Sequence, residues 1–200
     1  MAQRYGAGLE SLFPSGFPGS TPGPGVTLST CSEHYQLAQL KMKKKVKKTN
    51  KILILAICLI ITYLVAFIGS LFTSQGVKSS WYQSIKPSIT PPNWIFPIAW
   101  GILFFLMALS LYFAWINAKN NDKRNIAIIF GINFVLNILW SFLYFYMKNP
   151  SMAFIDIILV WFSILSMILA TWKINRTASL ILIPYLLWVS FASILNYLSI

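Results

Sequence analysis

Five stretches of this 200-residue chain are apolar almost without interruption: Ile52–Phe72, Trp94–Ala118, Asn125–Met147, Ser151–Trp172 and Ser179–Ser199. A helix needs about 20 such residues, at about 1.5 Å each, to cross the hydrocarbon core of a bilayer. A soluble helical bundle would show wide polar faces on these runs, and they mostly lack them. The pattern therefore predicts an all-α membrane protein, a bundle of five transmembrane helices with the lipid bilayer as its solvent. Short connections between the last four helices imply antiparallel neighbours. The loop 73–93 is longer and stiffer, because Pro87, Pro91 and Pro92 fix φ and hold their neighbours extended. Asn93 is placed to cap the second helix, and Pro97 falls near its first turn, where a missing N–H costs least.

The polar residues inside the runs have their own periodicity. In the third helix Asn133, Asn137, Trp140, Ser141 and Tyr144 recur on one face. Lipid would penalise that stripe, so it is expected to face the bundle, either to bind something or to hydrogen-bond other helices. The opposite face carries Ala127 and Gly131, a small-xxx-small pair suited to close approach in a homodimer. The fifth helix repeats the theme with Tyr185, Trp188, Ala192 and Asn196, and Pro184 predicts a kink by removing the bond to Leu180. The second adds Trp100 and Phe104, one turn apart. Flat rings and neutral amides turned inward suit a large, flat, apolar ligand with one or two orienting hydrogen bonds. Trp94, Trp115 and Trp172, near helix ends, read as interfacial anchors.

Composition agrees: 57% of residues are hydrophobic and 10% charged, against roughly 25% charged in a soluble domain. The formal charge of +12 is no nucleic-acid signature, because the basic residues cluster at helix ends. Lys43, Lys44, Lys45, Lys47, Lys48, Lys51, Lys119, Lys123, Arg124, Lys173 and Arg176 fall on one side, and Lys78, Lys86 and Lys148 on the other. The positive-inside rule then predicts a cytoplasmic N-terminus and an outside C-terminus. Residues 1–41, rich in Gly, Pro, Ser and Thr, read as disordered: an upstream extension, a gene-model error or an expression scar ahead of a natural start at Met42.

His34 is the one histidine and Cys31 and Cys58 the two cysteines, so no metal centre or disulfide framework is expected. No Gly-rich phosphate loop, nucleophile elbow or paired carboxylate is present. After residue 41 the acids are Asp122, read as a solvated loop charge, and Asp156, one to two turns into the fourth helix. An acid at membrane depth is either a functional group or a protonated hydrogen-bonding tie between helices.

Three motifs then carry a resemblance. "WYQSIKPSITPPNWIFPIAWGILF", "NFVLNILWSFLYFYMKNPSMAFIDIILVW" and "LILIPYLLWVSFASILNYL" resemble, in order, the first loop with second helix, the third helix with the following NP turn, and the fifth helix of the TspO/MBR family. The likeness runs from about Ile52 to the end of the chain. It implies a five-helix fold, usually dimeric, with a pocket open toward the first loop. Family members bind porphyrins such as protoporphyrin IX and haem, and animal members also bind cholesterol and benzodiazepine-type drugs. By motif position the implied ligand-binding residues are Trp81, Tyr82, Pro91, Trp100, Phe104, Asn137, Trp140, Ser141, Trp188 and Ala192. Ile89 stands where the family has a tryptophan, and Leu195-Asn196-Tyr197 is not followed by the basic residue of the sterol-recognition pattern.

The resulting expectation is a membrane receptor or carrier for porphyrin-like ligands, with no obligatory cofactor and no metal ligation by the protein. Two alternatives remain open at the level of sequence: an enzyme for light- or oxygen-dependent porphyrin breakdown, and a non-catalytic regulator acting through a protein partner. The expected location is a prokaryotic plasma membrane, or the mitochondrial outer membrane if the source is eukaryotic.

Overall fold

The computed structural model describes residues 28–200, with the side chains of residues 28–35, 38 and 42–49 outside the description. The chain divides into two compact units between Val46 and Lys47, and the membrane bundle is the second, Lys47–Ile200. Five helical segments are long and apolar enough to cross a membrane: Asn50–Gly76, Ile95–Asn117, Asn120–Tyr146, Pro150–Trp172 and Arg176–Tyr197.

These spans belong to α1 (Leu28–Gly76), α3 (Ile95–Asn117), α4 (Asn120–Ser141), α5 (Pro150–Trp172), α6 (Arg176–Leu180) and α7 (Ile183–Tyr197), with a short α2 (Ser80–Ile85) in the first loop. Four differences from the sequence expectation have physical causes. First, α1 starts at Leu28, so residues 28–41, expected to be disordered, are helical, and residues 1–27 lie outside the described residues. The segment from Leu28 to Met42 contains neither Gly nor Pro, which gather before it. Second, the loop expected over 73–93 is helical through Gly76 and again at α2, where Ser79 Oγ accepts the Tyr82 N–H at 3.2 Å. Third, the fifth span is two helices, because Pro184 cannot donate to Leu180, and the chain turns at 181–182. Fourth, Asn93 does not cap α3. Its Oδ1 accepts from Lys86 Nζ at 3.3 Å, pinning the two ends of the proline segment together.

The third span also changes pitch. After Ser141 it widens into a π-helical turn, Phe142–Tyr146, which closes with Met147 N–H on the Phe142 carbonyl at 2.9 Å. Lys148 then takes a positive φ of 51°, and Asn149 caps α5 by accepting the Met152 N–H at 3.0 Å with Pro150 in the first turn. Packing is closest where α5 meets α4 and α7. Their core centres on Phe130, Ile164, Met167, Tyr185 and Val189, all nearly inaccessible. At the helix ends, Lys123 lies 5.9 Å from the Trp115 ring and Arg176 5.4 Å from the Trp172 ring, cation–π contacts that fit interfacial anchors.

Candidate functional site

The inward stripe of α4 divides into two functions. Asn133 is fully enclosed, and its amide donates to Ser163 Oγ of α5 at 2.8 Å. Asn137, one turn on, donates through Nδ2 to the Asn133 carbonyl at 2.8 Å, to Asn133 Oδ1 at 3.0 Å and to the Tyr185 hydroxyl of α7 at 2.7 Å. The Tyr185 hydroxyl in turn donates to Asn133 Oδ1 at 3.3 Å. A backbone carbonyl only accepts, so the Asn137 amide is oriented by Asn133, and its oxygen is left toward the space on the other side.

That space is a cavity of about 780 Å³ bounded by α1, α3, α4 with its π turn, α7 and the first loop. Trp100 and Phe104 of α3 line it with ring centroids 5.7 Å apart, and Trp140 of α4 stacks on Tyr144 at 5.3 Å and 24°. The rings are held by polar ties behind them. Trp140 Nε1 donates to Asn196 Oδ1 at 3.0 Å, Asn196 Nδ2 to the Pro150 carbonyl at 2.9 Å, and the Tyr144 hydroxyl to Ser199 Oγ at 2.9 Å.

Of the ten residues singled out from the sequence, Tyr82, Trp100, Phe104, Asn137, Trp140, Ser141 and Ala192 line this cavity. Trp81, Pro91 and Trp188 do not. Trp81 packs edge-on against Tyr144 at 5.9 Å, and Trp188 packs on Phe96, itself a wall residue, at 6.0 Å, so both support the wall from behind. Ile89 is exposed and likewise off the cavity. Asp156 is inward, 3% exposed, with neither carboxylate oxygen meeting a hydrogen-bond partner among the described residues, but it does not line the cavity. Ala127 and Gly131 lie on the outer face of α4, and a Cβ added at Gly131 would meet nothing within 4 Å.

The wall that sequence reasoning missed is α1. Tyr63, Ala66, Phe67, Ser70 and Thr73 line the cavity from one helical face that the uniform hydrophobicity of the run concealed, and Val77 continues the lining just past the helix end. Gly76 seats the end of α1 on the π turn, since a Cβ there would come within 2.6 Å of Phe145 Cβ. Phe72 packs edge-on against Phe142 at 5.4 Å. Tyr63 and Phe67 line the cavity and are themselves exposed. The Tyr63 hydroxyl ties α1 to α3, donating to the Gly101 carbonyl at 3.2 Å.

Outside the spans, Tyr82 sits where the loop meets the π turn. Burial, helped by the neighbouring Tyr144, pushes its phenol up to about 12, so it is neutral at any ordinary pH. Among the described residues no cluster of His, Cys, Asp or Glu is arranged to hold a metal ion.

Comparison with known proteins gives a consistent result. A family model described as "TspO/MBR family" matches residues 56–199. A tryptophan-rich protein TspO of Chlorobaculum tepidum is 40% identical over 151 residues, 74% of this chain and 94% of its own. Another from Archaeoglobus fulgidus is 42% identical over 134 residues, 66% of this chain and 86% of its own. The translocator protein of Bos taurus is 30% identical over 134 residues, 66% of this chain and 79% of its own.

Proposed function

Since this chain belongs to the TspO/MBR family and is an integral membrane protein, we propose that it is a receptor or carrier that takes flat apolar ligands, porphyrin-like tetrapyrroles among them, into the cavity of its helix bundle. The observation that carries this reading is the cavity of about 780 Å³ walled by Trp100, Phe104 and Trp140 with the Asn137 amide oxygen turned toward it. Small-molecule sites occupy about 300–1,000 Å³ and pair apolar walls with a few placed polar groups. Stacking on the rings supplies affinity, and the amide oxygen selects an orientation by accepting one hydrogen bond. The names of relatives, "Translocator protein" and "Tryptophan-rich sensory protein", fit movement or sensing of such a ligand.

The same reading places the protein in a prokaryotic plasma membrane, N-terminus in the cytoplasm, as a homodimer joined through the outer face at Ala127 and Gly131. Protoporphyrin IX titrated into the purified protein should quench tryptophan fluorescence saturably, and Trp100→Leu should reduce the amplitude. Quenching that stays linear, or is the same after the cavity is filled by Ala66→Phe, overturns the proposal.

A further inference from the structure

The wall of the cavity differs chemically from its mouth. On the inner wall the donors are mostly consumed within the protein: Asn137 Nδ2 by Asn133 and Tyr185, Trp140 Nε1 by Asn196, the Tyr144 hydroxyl by Ser199, and the Thr73 hydroxyl by the Gly69 carbonyl at 3.1 Å. Among the described residues no Arg, His or acid lines the cavity, and the one lysine that does is Lys78, on the first loop. A second cation stands at the same end. Lys86 is held by Asn93, which lines the cavity beside Pro87. The acids past residue 41 do not offset these charges, since Asp122 is in the first turn of α4 at the other end of that span and Asp156 is buried away from the cavity.

We infer that the loop end of the cavity is an anion subsite, and that the ligand is an amphipathic organic acid whose apolar body enters the bundle while its carboxylate stays at the mouth with Lys78 and Lys86. This deepens the receptor reading above and rests on it. A carboxylate in the interior would find no cation and would carry its full desolvation cost, whereas at the mouth it keeps water and gains two positive charges. The inner wall takes the neutral part of the same molecule. Two lysines at a membrane end also fit anionic lipid headgroups, so the experiment excludes those.

The test is a matched ligand pair in nanodiscs of phosphatidylcholine alone, which offer no anionic headgroup. Protoporphyrin IX carries two carboxylates, and its dimethyl ester has the same ring with both masked. The acid should bind about fivefold tighter than the ester, the upper range for exposed ion pairs, and the preference should shrink as salt is raised. Lys78→Gln with Lys86→Gln should abolish the preference, the acid losing more affinity than the ester. Equal binding of acid and ester to the unaltered protein, or a preference that survives the double substitution, overturns the subsite while leaving the receptor reading intact. If neither porphyrin binds, the tetrapyrrole reading fails, and dansylundecanoic acid against its methyl ester makes the same charge comparison. Indifference to that pair overturns the subsite as well.

Discussion

The two sides of the bundle use their polar groups differently. On the α4–α5–α7 side, side chains bond from helix to helix: Asn133 to Ser163, Asn137 to Tyr185, and Trp161 Nε1 to Ser190 Oγ at 2.9 Å. On the α1 side they bond inward along their own helix. Thr62 donates to the Cys58 carbonyl, Ser70 to Phe67 and Thr73 to Gly69, each three or four residues back. Among the described residues, Tyr63 to Gly101 is the hydrogen bond from Asn50–Gly76 to another spanning helix. Burial follows the same division, with 22% of the most apolar window of α1 buried against 39% for α4, α5 and the α6–α7 span. In lipid, apolar contact between helices has no hydrophobic driving force, so interhelical bonds and close packing decide what is rigid. One side is a cross-linked scaffold, and the other is a wall leaning against it.

That contrast can be broken first on the scaffold. Asn133→Leu takes partners from Tyr185, Asn137 and Ser163 together, and should lower unfolding stability in detergent by about 3 kcal/mol, the upper end for orphaned buried groups. A loss no greater than that of an exposed substitution would mean the network is not what holds α4 to α5 and α7. At the junction, Gly76→Ala drives a methyl into Phe145 and should cost about 1–3 kcal/mol. Pairing it with Phe145→Gly should cost less than the sum of the two changes, because the ring and the Cβ that the new methyl meets are both gone. On the wall, Ala66→Phe should leave stability within about 0.5 kcal/mol yet weaken porphyrin binding at least tenfold, about 1.4 kcal/mol, as read by fluorescence titration.

The smallest effect is a pH dependence at the loop. The folded state holds the Tyr82 proton to about 12, against an ordinary 10 when unfolded. Its contribution is therefore complete below about pH 10 and is lost as pH rises through about 12. Comparing alkaline stability curves of the protein and Tyr82→Phe should show the steeper fall in the former.

How much of this was legible beforehand depends on what each helix buries. The α4 stripe could be read because amides and a serine interrupt an otherwise lipid-compatible run, and polar residues at helical spacing have one tolerable direction. The α1 wall could not, because Tyr63, Ala66 and Phe67 are as acceptable to lipid as to a ligand, and hydropathy does not distinguish the two. Trp81 and Trp188 show the converse. Large rings near a cavity satisfy a motif whether they face the ligand or brace those that do, and only side-chain placement separates these roles. The start of α1 at Leu28 was hidden by averaging a helix-compatible segment with the Gly/Pro-rich residues before it, and the π turn had no sequence marker that we can name.

Tyr63 and Phe67, exposed on a membrane-spanning helix and also lining the cavity, bear on the thermodynamic reference for a ligand that reaches the cavity from the bilayer. Such a ligand leaves acyl chains rather than water, so transferring its rings onto Trp100 and Phe104 yields little of the free energy that the same burial would release from aqueous solution. Its activity is then a mole fraction in the lipid. Occupancy should fall when lipid is added at constant total ligand, even though nothing about the protein has changed. Discrimination among membrane-dissolved molecules is left to shape, to the Asn137 oxygen and to the charge waiting at the loop.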